Sequence, residues 1–179
     1  MIRRLAALAS AALVAASSAD ARAVQPWSVG AEAGMCWSGD ALSLHRPGFC
    51  GALHADTFFL RQRGRDIGVG PSLRLGTVRF DDVRLDGGVS LLLPVLSSFP
   101  VVLEAGPHLR NFHEPGVYGS VFFGLRSFNY YGSYEPAAGL VVTAERAFSE
   151  GTPSAIWITA RIDGSWLMLP GIFVLNGLK

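Results

Sequence analysis

With 15 Lys+Arg against 14 Asp+Glu in 179 residues, the chain has a net charge of +1 and no basic or acidic run long enough to make nucleic acid a partner. Half of its residues are hydrophobic and the mean hydropathy is +0.33, which is high for a soluble domain of this size, so apolar surface is expected to face something other than water. A spanning helix is excluded, because the best apolar run, Gly87 to Leu103, is broken by Pro94, Ser97-Ser98 and Pro100.

Residues 1–23 read as a secretory signal peptide. Arg3 and Arg4 give the positive start, Leu5 to Ala16 the apolar stretch, and Ala21-Arg22-Ala23 an A-x-A cleavage site. The apolar stretch is shorter than the roughly 18 to 20 residues of a membrane anchor. Removal leaves one near-neutral domain, 24–179, with 12 Lys+Arg (15 less Arg3, Arg4 and Arg22) and 13 Asp+Glu (14 less Asp20).

From there the chain alternates at period two, the mark of strands with unlike faces. The first strand is expected over 27–37, bracketed by Trp27 and Trp37, and the second over 50–61. The third, 66–80, sets Ile67, Val69, Leu73 and Leu75 against Gly68, Gly70, Ser72 and Arg74. In the fourth, 83–95, Val83, Leu85, Val89, Leu91 and Leu93 oppose Arg84, Asp86, Gly88 and Ser90. The fifth, 99–110, sets Val101, Leu103 and Leu109 against Glu104, His108 and Arg110, with Pro107 poorly suited to a paired strand. Strands over 116–130, 136–148 and 154–168 complete a set of eight. Short connections rich in Gly, Pro, Asp and Ser imply antiparallel neighbours. The expected fold is all-β: an eight-stranded antiparallel up-and-down transmembrane β-barrel, since a closed barrel is the strand structure that satisfies its backbone in a bilayer.

An eight-stranded barrel is only wide enough for its own side chains, so a filled lumen rather than a pore is expected. The inward set is Glu32, Asp56, Asp86, Glu104, Glu145 and Asp163 against Arg74, Arg84, Arg110, Arg126 and Arg161, with His54 and His108 beside them. Buried charges of both signs in near balance read as a structural plug of ion pairs. Gly30, Gly34, Gly68, Gly70, Gly88, Gly106, Gly124 and Gly139 leave room for the long arginines. Phe59, Phe80, Phe99, Tyr130 and Tyr131 join the two tryptophans near strand ends, where interfacial aromatics belong.

The chain resembles the small eight-stranded outer-membrane barrels of Gram-negative bacteria, the OmpA-like and OmpX-like group. The resemblance covers the whole mature chain and is carried by the signal peptide, the alternation, the Gly-rich lumen and paired strands such as GVYGSVFFGLRSFNYYGSYEPAAGLVVTAERAF at 116–148. It implies export through the periplasm, contact with the barrel-insertion machinery, outer-membrane lipids and lipopolysaccharide as surroundings, and a monomer. Members commonly end in an aromatic residue, whereas this chain ends Asn176-Gly177-Leu178-Lys179, with Phe173 the candidate substitute beyond Pro170-Gly171.

Cys36 and Cys50 flank the longest expected loop and meet the oxidising periplasm, so a disulfide is the favoured reading over two free buried thiols. Closing a loop of about 15 residues is worth roughly 3 kcal/mol. If the N-terminus is periplasmic, this loop is the extracellular contact surface. Two cysteines without a His pair at ligand spacing do not make a metal site, and no cofactor motif occurs. The basic stretch Arg61-Gln62-Arg63-Gly64-Arg65 reads as a solvated turn. No catalytic residue is assigned. A lipid A-modifying enzyme is the alternative, with Ser43, His45 and Asp81 or Asp82 at the rim as its best candidates. A second alternative is a soluble lipocalin-like periplasmic carrier. It would turn Leu91, Leu93, Val101 and Leu103 inward and expose Arg84, Glu104 and Arg110.

Overall fold

The computed structural model describes residues 27–39, 46–61, 65–96, 99–126, 137–149 and 154–163. Eight antiparallel strands follow one another: β1 (Trp27–Gly39), β2 (Arg46–Thr57), β3 (Gly68–Val78), β4 (Asp82–Leu93), β5 (Val101–Arg110), β6 (Glu114–Arg126), β7 (Ala137–Ala147) and β8 (Ser154–Asp163). Each pairs with its sequence neighbour and β8 closes on β1, giving a closed barrel without a free edge. The closing register runs from Gly30↔Asp163 to Gly39↔Ser154. Strands of 10 to 13 residues match the roughly 9 to 11 that cross a bilayer at a tilt.

Alternation in the sequence becomes the two faces of the wall. Along β6 every second residue from Gly116 to Arg126 points inward, while Val117, Val121, Phe123 and Leu125 point out. Leu103, Val101 and the half-exposed Leu91 and Leu93 also lie outside, and Arg84 and Glu104 are buried inside. The inverted arrangement of a soluble carrier is therefore not the one adopted.

Pro107 is accommodated by a break in pairing. The β4–β5 register runs to Asp86↔His108 and resumes at Val89↔Ala105, leaving Gly87-Gly88 opposite Gly106-Pro107. A Cβ on Gly88 would lie 2.3 Å from the Ala105 carbonyl oxygen and 2.8 Å from the Tyr118 hydroxyl. Only glycine permits that approach.

The two rims differ. At the terminal rim, where β1 begins and β8 ends, the connections span 58–67, 94–100 and 127–136; at the opposite turn rim they span 40–45, 79–81, 111–113 and 148–153. The two tightest turns put both central residues at positive φ: Arg79 and Phe80 at 55° and 63°, Asn111 and Phe112 at 49° and 63°. They are closed by Asp81 N–H to the Val78 oxygen and His113 N–H to the Arg110 oxygen. This is the type I′ pattern, whose twist suits a hairpin.

The expected loop between the cysteines is corrected by strand length. β1 continues to Gly39 and β2 begins at Arg46, so Cys36 and Cys50 lie within strands and the connection is only 40–45. The signal peptide, the sequence after Asp163 with Phe173, and Tyr130-Tyr131 lie outside the described residues.

Candidate functional site

Among the described residues, charged and polar side chains are concentrated in the lumen. Inward positions on all eight strands fill it with side chains, among them the buried Arg74, Arg84, Arg126 and Arg161 and the buried carboxylates Glu32, Asp56, Asp86, Glu104, Glu145 and Asp163. Each arginine is fixed by acids from other strands. Arg161 on β8 holds Glu32 on β1 through Nε at 2.8 Å and Nη2 at 2.6 Å, and reaches Glu104 on β5 at 3.3 Å. Arg126 on β6 grips both oxygens of Asp56 on β2, a fork that ties nearly opposite strands.

Arg74 on β3 sits between Asp86 at 3.3 Å, Glu32 at 3.4 Å and Glu145 at 3.8 Å. Arg84 on β4 holds Glu145 on β7 at 2.7 Å. The two histidines complete the belt: His54 Nε2 lies 3.1 Å from Glu104, and His108 Nδ1 is bonded to Asp86. Hydroxyls fill remaining acceptor positions, Thr159 donating to Glu32, Ser120 to Glu104 and Ser28 to Asp163. Such pairing is what makes buried charge tolerable, because each oxygen removed from water needs a replacement donor.

Arg110 departs from the expected lumen set. It is only half-buried at the turn rim, where it donates to Asp82 through Nε at 3.1 Å and Nη2 at 2.7 Å and faces Glu114 at 3.5 Å. The reason is position: Arg110 ends β5, so its side chain meets the rim acids rather than the belt.

Apolar clusters bracket the charges. Cys36, Cys50, Ala52, Val78, Ala155 and Trp157 pack towards the turn rim, and Phe58, Leu92, Val102, Phe122 and Val141 towards the terminal rim. Arginines join belt to clusters by stacking: Arg74 lies 4.2 Å from the Trp157 ring, Arg126 4.7 Å from Phe58 and Arg161 5.3 Å from Phe122. Trp157, Phe58, Phe122 and the buried Tyr118, whose hydroxyl meets Ser72 at 3.3 Å, were not singled out from sequence. Trp157, Phe122 and Tyr118 occupy the same alternating face as the charges, which is the signal that identifies them.

Cys36 and Cys50 are free and buried in the first cluster. Cys36 faces Gly48 across β1–β2, and its thiol donates to the Gly48 carbonyl at 3.4 Å. The favoured disulfide pinning a surface loop is thus replaced by two free thiols under the turn rim.

Two groups, His54–Asp56–Glu104 and Asp86–His108–Glu145, bring ligand-type atoms close together. Their oxygens already accept from Arg126, Arg161, Arg74 and Arg84. They are nodes of the ion-pair belt, and a metal ion would have to displace a guanidinium. Of the rim candidates for catalysis, Ser43 and His45 lie outside the described residues, and Asp82 is held by Arg110 and Asn111.

No protein-family profile and no curated protein matches the chain. Eight solved chains match in structure. One is a de novo designed transmembrane β-barrel, 9% identical over 79% of this chain and 98% of that one, TM-score 0.46. Another is the solution structure of the designed barrel TMB2.3, 14% identical over 77% and 93%, TM-score 0.46. A third is Ail, the attachment invasion locus protein of Yersinia pestis, crystallised with the heparin analogue sucrose octasulfate, 8% identical over 78% and 97%, TM-score 0.45. These are likenesses of the eight-stranded barrel architecture.

Proposed function

We propose that this chain is a non-catalytic integral outer-membrane β-barrel, closed by its own side chains, that contributes to envelope integrity or surface interaction. The observation that carries the reading is the polarity of the wall. Val29, Met35, Phe49, Leu53, Leu73, Leu75, Val89, Val121, Phe123, Leu140, Ile158 and Ile162 stand exposed on the outside, while the charges are turned inward. A protein surrounded by water would invert that pattern, because each exposed apolar side chain forfeits its burial energy and each buried charge its hydration. A bilayer makes both choices favourable.

The signal-like start supplies the export route, and the outer membrane is the bilayer that exported barrels enter. Interlocked arginines and acids support a scaffold role, since Arg74, Arg84, Arg126 and Arg161 are each held by carboxylates of other strands rather than left open to a substrate. Expression with fractionation tests the reading. The expected result is recovery in the outer-membrane fraction, with a purified band that migrates faster unheated than boiled. Recovery in the soluble periplasm would remove the membrane assignment, and altered lipid A acylation on overexpression would replace the scaffold role by an enzymatic one.

A further inference from the structure

Among the described residues, the buried acids outnumber the buried guanidiniums. Six carboxylates face five arginines, Arg61 of the 58–67 connection joining Arg74, Arg84, Arg126 and Arg161. An uncompensated charge in such a place is costly, because no bulk water replaces the missing partner. The two buried histidines are the groups able to supply the sixth positive charge, and their surroundings differ.

His108 on β5 is committed to the neutral form. Its Nδ1 is bonded to Asp86 on β4, and its Nε2 lies 3.4 Å from Nη1 of Arg84. A guanidinium nitrogen only donates, so Nε2 accepts with its lone pair and the ring holds a single proton, on Nδ1.

His54 on β2 has no such donor. It is buried, and neither of its ring nitrogens makes a hydrogen bond among the described residues. Carboxylates flank it instead: Nε2 lies 3.1 Å from Oε1 of Glu104 on β5 and 3.9 Å from Oδ2 of Asp56, and Glu32 on β1 is within electrostatic range of the ring. The nearby cations are Arg74, its register partner on β3, Arg126 on β6, which holds Asp56, and Arg161 on β8, which holds Glu32 and Glu104. Asp86 on β4 and Glu145 on β7 meet Arg74. A neutral ring would set an unpartnered nitrogen among these acids. A charged ring makes the same contact an ion pair, whose attraction depends on distance and needs no in-line N–H.

We infer that His54 is doubly protonated in the folded barrel and acts as a pH-sensitive latch, its imidazolium tying β2 to Glu104 of β5 across the lumen. One such charge brings the buried set to six against six. The latch goes beyond the scaffold role by naming the group through which the acidity of the medium acts on the barrel. Its sign follows from the charge: the tie is present while the ring is protonated and is lost as rising pH removes the proton, which leaves Glu104 and Asp56 with one cation fewer.

The test uses the full chain refolded in detergent micelles with isotope-labelled histidine. Near neutral pH, nitrogen resonances of the two buried rings should report one imidazolium and one neutral ring. His108→Gln should remove the neutral one, so the assignment does not depend on a substitution at His54. In urea, the unfolding midpoint of the unsubstituted chain should fall between about pH 5.5 and about pH 8, where histidine titrates, with the folding constant dropping by up to about tenfold per pH unit, the value for one proton. His54→Gln and, separately, Glu104→Gln should each lose that dependence, and His108→Gln should keep it. A neutral His54 ring near neutral pH, or a pH dependence that neither His54→Gln nor Glu104→Gln alters, overturns the inference and leaves the membrane reading standing.

Discussion

Arg161 shows what a single residue does in this lumen. Its guanidinium is shared between Glu32 and Glu104 and stacked over Phe122, so it neutralises two strands' acids and covers an apolar cluster at once. Replacing it by Met keeps much of the bulk and leaves two buried carboxylates short of a donor. Arg161→Met is expected to cost about 3–5 kcal/mol, the range for breaking a buried ion pair from one side, measured by urea unfolding in detergent micelles. A loss below about 1 kcal/mol would mean that water reaches the belt. That Arg161 faces inward is legible from its place between Ala160 and Ile162. Which acids it binds is not, because Glu32 lies 129 positions away in sequence and only the β1–β8 closure makes them neighbours. Arg110 has the same alternation and a different fate, since its distance along the barrel axis rather than its face places it at the rim.

At the scale of elements, the strands were readable to within a few residues and their ends were not. The second strand begins at Arg46 rather than at residue 50, because β1 and β2 pair all the way to Ser38↔Arg46, and that pairing shortens the loop that the cysteines were expected to flank. A stretch such as RPGF carries turn-like residues that the neighbouring strand overrides by supplying hydrogen-bond partners. Gly88 and Gly119 look alike in sequence and differ in consequence. A Cβ at Gly88 would strike the Ala105 oxygen, whereas at Gly119 the nearest atom is the Glu104 oxygen at 3.8 Å. Gly88→Val is expected to destabilise by about 1–3 kcal/mol or more through overpacking. Gly119→Val, on the outward face, should stay within about 0.5 kcal/mol. Urea midpoints of the two variants check this pair, and equal losses would show that the break opposite Pro107 does not constrain β4.

For the whole molecule, closure and filling are linked. Eight strands enclose a lumen that side chains from opposite walls can span, as Arg126 to Asp56 and Arg84 to Glu145 do. The expected consequence is an absence of ion-conducting steps when the purified barrel is reconstituted in a planar bilayer. Regular unitary steps would show that the belt parts to open a channel.

The sequence by itself determined the class of fold, the number of strands and the face on which nearly every side chain lies, because a period of two is a local property of each strand. It determined too that charge of both signs would be gathered inside. Tertiary structure decided who pairs with whom, that Arg110 belongs to the rim, and that the cysteines sit as free thiols in the lumen. Those outcomes depend on register, tilt and closure between segments far apart in the chain. No local pattern encodes them, since a strand specifies its own faces but not its height against a neighbour.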